Sequence, residues 1–175
     1  SNFSSYRNYI AQIHDMDPEI IMEACIFETC GPEMNNIAIP TWVFEAFGKT
    51  PETRNFDYNL MRHEDHAATS GLLSTNFLEG YGWNQWGENR HIPSISTEEF
   101  QMFVYYRACR YIDMGIEAIH FGQMNLIGAI TEYEKDSTFS KTGHWKVTGV
   151  DNAAWTKVID MINAYAKTNA RRGYL

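Results

Sequence analysis

Two short apolar segments, far apart in the chain, constrain its fold more than any other feature. Pro18-Glu19-Ile20-Ile21-Met22-Glu23-Ala24-Cys25-Ile26-Phe27-Glu28 and Gly115-Ile116-Glu117-Ala118-Ile119-His120-Phe121-Gly122-Gln123 align without a gap. Glu23-Ala24-Cys25-Ile26-Phe27-Glu28 lies over Glu117-Ala118-Ile119-His120-Phe121-Gly122. A strand apolar at most positions needs cover on both faces, which parallel sheets provide. Both segments end in polar residues, and ligands of parallel α/β folds sit beyond the carboxyl ends of the strands. The two ends offer Glu28, His120 and Gln123.

The rest of the chain alternates with these segments. Residues 3–15 carry Phe3, Tyr6, Ile10 and Ile13 at helical spacing, and Asp15, Asp17 and Pro18 stop the helix. Residues 97–113 form the clearest helix, with a Ser96/Glu99 capping box, Phe100, Phe103, Val104, Ala108, Tyr111 and Ile112 on one face, and Gly115 as the stop. A last helix begins at Asp151 and buries Trp155, Val158, Ile159, Ile162, Tyr165 and Ala166, with Arg171 and Arg172 suited to its negative end. Between the first strand and the 97–113 helix, Thr41–Gly48 reads as a short helix closed by glycine, and residues 57–70 as another. Gly80–Gly87 reads as an irregular loop.

Short turns lead from each helix into a strand, and long connections lead out of it. That asymmetry predicts an α/β fold, a partial (β/α) TIM-type barrel with parallel strands, long βα loops and missing strands. Residues 1–175 then form one partial barrel domain, with 29–95 as a long active-face insertion. A closed barrel takes about 250 residues, so the remaining barrel strands are expected from residues absent here. The alternative is a small open sheet with further strands in 29–95.

Composition excludes several classes of partner. A net charge of -8, with Arg171-Arg172 the only adjacent basic pair, argues against nucleic acid and an anionic membrane. No run approaches the roughly 18 apolar residues of a membrane span. Cys25, Cys30 and Cys109 show no metal-ligand spacing; Cys25 and Cys109 read as core residues, and Cys30 as a possible nucleophile if a base stands nearby. Phosphate-loop, dinucleotide and nucleophile-elbow motifs are absent, and no cofactor is expected.

Glu28 is the first catalytic candidate, because a carboxylate at a strand end can serve as acid, base or nucleophile. His120 is the second, with Gly122 leaving space beside it and Gln123 extending the polar end. Strand alternation with the alignment puts Ala24, Ile26 and Glu28 on one face with Ala118 and His120, so Glu28 and His120 are expected to converge. Glu23 and Glu117, early in their strands, are expected to pair with Arg or Lys. Tyr81, Trp83 and Trp86 offer faces that stack on sugar rings, as does Trp42, while Asn84, Gln85, Glu88 and Asn89 offer groups for hydroxyls. His63-Glu64-Asp65-His66 places two histidines three apart, one short of the zinc motif; with Asp57 and Glu64 it could hold a divalent ion, and His91 and His144 in loops could reach the same face, but a solvated polar helix is the preferred reading and no metal site is expected.

The strand ends Ile26-Phe27-Glu28 and Ile119-His120-Phe121-Gly122-Gln123, with the aromatic loop 81–86, resemble the later half of (β/α)-barrel glycoside hydrolases. The resemblance implies hydrolysis of a glycosidic bond in a small-molecule or oligosaccharide substrate. Glu28 would be acid/base or nucleophile, His120 and Gln123 would position hydroxyls, and Trp83 and Trp86 would stack on sugar. Such enzymes use two carboxylates; the second falls to Glu33, Glu79 or Glu88, or to residues outside this sequence. Two readings compete: a metal-dependent barrel hydrolase or isomerase with Glu28 and His120 as ligands, and a non-catalytic glycan-binding barrel.

Overall fold

The computed structural model describes residues 3–61, 89, 90, 92–122, 124, 127 and 149–175. These residues form helices α1 (Phe3–Met16), α2 (Thr41–Ala46), α3 (Glu98–Asp113) and α4 (Gly149–Asn169), strands β1 (Glu23–Ile26) and β2 (Ala118–Phe121), and two 3-10 turns, Pro32–Asn36 and Tyr58–Leu60. The chain divides into two compact units. One comprises residues 1–27, 104–122 and 157–175; the other comprises 28–103 and 123–156.

The expected partial barrel is not what the chain forms. Among the described residues there is one sheet, of two parallel strands, beside four α-helices. Parallel pairing is as expected, but each strand keeps only four residues. Composition misled because the apolar run before β1 does not enter the sheet. Asp17 ends α1 with the bond from its N–H to the Ile13 carbonyl (2.9 Å) and turns the chain by accepting from the Glu19 N–H (3.0 Å). Ile20 and Ile21 are left exposed on that turn.

Register also departs from the alignment. Glu23 pairs with Ala118, Ala24 with Ile119, Cys25 with His120 and Ile26 with Phe121. The alignment is offset by one residue, and an offset of one exchanges the faces of a strand. Ala24 and Ile119 therefore share the face that packs on Ile10, Met114 and Ile116, while His120 shares the other face with Cys25.

In the first unit, α3 stops where the glycine predicted. Gly115 has φ +93°, its N–H donates to the Ile112 carbonyl (2.9 Å), and the Ile116 N–H donates to the Tyr111 carbonyl (3.1 Å). This is a Schellman closure, which favours glycine at the left-handed position. A Cβ there would also stand 3.2 Å from Ile10 Cγ2. The close approach lets α1 settle on the start of β2. Tyr165 Oη donates to Asp113 Oδ1 (2.7 Å) and ties α4 to the end of α3. The predicted inward face of α4 is observed, with Trp155, Val158, Ile162 and Ala166 buried. That helix begins at Gly149, so Asp151 lies within it instead of capping it.

The second unit packs Val43, Phe44, Phe56, Met61, Ile95 and Phe100 into its core. Helix α2 closes as its sequence predicts: Gly48 has φ +68°, and the Lys49 N–H donates to the Phe44 carbonyl (2.9 Å). Ala38 and Asn55 form an antiparallel bridge. Thr97, not Ser96, caps α3: its hydroxyl accepts from the Phe100 N–H (3.4 Å) and its carbonyl from the Gln101 N–H (3.1 Å). Glu99 leaves the capping box and takes Arg54 in a two-bonded ion pair (2.7 and 2.9 Å) while accepting from the Asp57 N–H (2.9 Å). Residues 99–106 are buried without interruption, so this part of α3 is covered all round and not on one stripe alone.

Candidate functional site

Beyond β1 the chain passes through Glu28, Thr29, Cys30 and Gly31 into the turn Pro32–Asn36. Phe27 is the last residue of the first unit and is exposed; Glu28 is the first residue of the second and is 9% exposed. Among the described residues no hydrogen bond or ion pair reaches the Glu28 carboxylate. The neighbouring Thr29 hydroxyl oxygen is buried and also without a partner. Buried polar groups are nearly always satisfied. The Thr29 hydroxyl is an exception, next to a largely buried carboxylate at a strand end, and broken local rules of this kind gather at functional sites. Cys30 is fully buried next to them.

Gly31 is the tight point of this turn. A Cβ on it would fall 2.7 Å from Glu33 Oε2 and 3.3 Å from Arg90 Cγ. The space it leaves is occupied by the ion pair of Glu33 with Arg90 (2.5 Å). Glu33, one of the carboxylates considered as a partner for Glu28, is thus neutralised by a guanidinium. Proline at the first position of the 3-10 turn suits its preset φ.

The other predicted residues divide between placed and unplaced. His120 lies in β2 of the first unit and is exposed. It shares a face with Cys25 and not with Ile26, so the shared face predicted for Ile26 and His120 is not formed. Trp42 is half-buried in α2. Gln123, Tyr81, Trp83, Asn84 and Trp86 lie outside the described residues, as do Glu79, Glu88, His63, Glu64, Asp65, His66, His91 and His144. Among the described residues no group of three or more His, Cys, Asp or Glu side chains is placed to hold a metal ion.

Glu117 shows what the other early carboxylate does. It is buried, accepts from Arg171 (2.7 Å) and Arg172 (2.6 Å), and meets His14 Nε2 at 3.0 Å. Burial by itself raises its pKa, but the bonds from Arg172 and Arg171 outweigh that and hold the carboxyl at about 2. The two arginines also donate to the Pro18 carbonyl (2.6 and 3.2 Å), and Arg172 to that of Glu19 (3.1 Å). The expected pairing of Glu117 with basic residues is met, and the group is a clasp between the chain after α4 and the α1–β1 turn. Glu23 is exposed.

Cysteine chemistry is limited at Cys109. Burial, with the nearby Asp113 carboxylate, pushes its thiol up to about 12 against the lowering effect of a bond with Tyr105. It stays protonated at neutral pH and acts as a core residue, as its sequence suggested.

Among the described residues no helix is long and apolar enough to cross a membrane. No protein-family model, curated protein or solved structure matches this chain.

Proposed function

We propose that this chain is a carbohydrate-active hydrolase in which Glu28 is the acid/base or nucleophilic carboxylate. The observation that carries the reading is the place of Glu28, a largely buried residue just past the end of β1, beside a Thr29 hydroxyl that is buried without a partner. Among the described residues no ion pair occupies this carboxylate, which leaves it available to a ligand. A hydroxyl-rich substrate supplies both donors and acceptors, and so satisfies both groups when bound. In glycoside hydrolysis such a carboxyl either protonates the leaving oxygen, activates water, or attacks the anomeric carbon. The residue types of Tyr81, Trp83, Asn84 and Trp86 suit sugar faces and hydroxyls. The reading rests on Glu28 and those residue types, with no contribution from a barrel.

The test is hydrolysis of a panel of aryl glycosides and oligosaccharides by the whole chain, followed by Glu28→Gln. Glu28→Gln is expected to lower kcat by about 10³-fold or more, with KM little changed. Its melting temperature should stay close to that of the unaltered protein, because no ion pair among the described residues is lost. Full activity in Glu28→Gln overturns the assignment of Glu28. A glycan that the chain binds through Trp83 but never cleaves overturns the hydrolase reading in favour of a binding protein.

A further inference from the structure

Helix α1 carries two apolar stripes, and the first unit uses only one of them. Phe3, Ile10 and His14 face the unit, where Ile10 joins Met114 and Ile116 in the core. The second stripe is Tyr6, Tyr9, Ile13 and Met16, spaced three, four and three residues apart. That is the a/d spacing of a coiled-coil seam. Tyr6 is 61% exposed, Tyr9 64% and Met16 79%, and Ile13 is half-buried. Ile20 and Ile21, which follow the helix in sequence, are exposed as well. Single exposed apolar residues are ordinary, but a contiguous seam of this kind marks an interaction surface.

We infer that this stripe joins two copies of the chain as an antiparallel α1–α1 pair. The spacing of the four residues reads the same in both directions about a point level with Ala11. A two-fold axis there sets Tyr6 opposite the partner's Met16, and Tyr9 opposite the partner's Ile13. An interface of this symmetry must be self-complementary, and an aromatic ring facing a thioether is a favourable pair. Tyr6 also borders a mainly apolar cleft of about 340 Å³ with Phe3, Ile10, Ala24 and Met114, and with Arg107 on its wall. The partner's Met16 therefore meets further apolar surface there instead of water. The exposed parts of the stripe amount to roughly 500 Å² per copy, or about 1,000 Å² in all, which is the lower bound for a specific interface. The pair is accordingly weak, with a dissociation constant on the order of 10 μM.

Sedimentation equilibrium of the whole chain from about 1 to 300 μM tests this. A monomer–dimer equilibrium is expected, and Tyr9→Glu should abolish it while leaving the helical circular dichroism unchanged. Tyr6→Lys alone and Met16→Glu alone should each weaken the dimer at least tenfold. The double variant should recover it, because the new charges face each other across the axis. A monomer throughout the range overturns the inference. A dimer indifferent to Tyr9→Glu, or no recovery in the double variant, overturns it as well, the first by placing the interface elsewhere and the second by removing the antiparallel register.

Discussion

Replacing Glu117 with glutamine tests how far the carboxylate clasp holds the first unit together. Glutamine keeps the size of the side chain but removes the charge that faces Arg171, Arg172 and His14. A carboxyl that ionises near pH 2 instead of 4.5 contributes up to ~3 kcal/mol at neutral pH. The two guanidiniums are 30% and 24% exposed, so solvent screening and their remaining bonds to the Pro18 and Glu19 carbonyls reduce the loss to ~2 kcal/mol. In a chain of this length that is a fall of about 4–8 °C in melting temperature. The pH dependence is the sharper readout. Between pH 4.5 and about 2 the unfolded chain binds a proton at this site that the folded chain does not. Stability from Glu117 is therefore complete above pH 4.5 and is lost as pH falls through about 2. Urea unfolding followed by ellipticity at 222 nm should show the full difference between the two proteins at neutral pH, shrinking towards zero near pH 2. A difference below ~0.5 kcal/mol at neutral pH, or one that stays constant down to pH 2, would refute the reasoning.

Two further predictions concern groups in the same unit. Gly115→Ala forces a side chain into a left-handed position and against Ile10, and should destabilise by ~1–3 kcal/mol in the same unfolding assay; a neutral outcome would mean that the Schellman closure tolerates a Cβ. Cys109, with its thiol held at about 12, should resist alkylation by iodoacetamide from neutral pH to pH 9.5 and react only when the chain unfolds. Peptide mapping of the labelled sites reads this directly, and labelling that climbs between pH 8 and 9 in the folded state would contradict it.

Local chemistry made the helices legible. The stops at Gly48 and Gly115 depend on a left-handed φ and on carbonyls three and five residues back from their donors, all within one short stretch of chain. The inward face of α4 follows from apolar spacing alone. Glu28 stood out by its place after an apolar run, and the structure adds its burial. The same local view failed where two elements had to be compared. Ser96 and Thr97 are both competent caps, and the departure of Glu99 to Arg54 broke the capping box. The barrel was read from run lengths, but strand length is set by which backbone groups find partners, and Ile20 and Ile21 found none in the sheet.

What the sequence by itself determined is thus the helices, their glycine stops, the core cysteine and the two segments that meet as parallel strands. Tertiary structure decided the one-residue offset between those strands, and with it the face on which His120 lies. It also chose the partners of Glu117, of which His14 precedes it by 103 residues and Arg171 follows it by 54. The physical reason is range: helix periodicity and glycine φ are satisfied within a few residues, whereas register and buried ion pairs depend on the whole set of side chains that fold together.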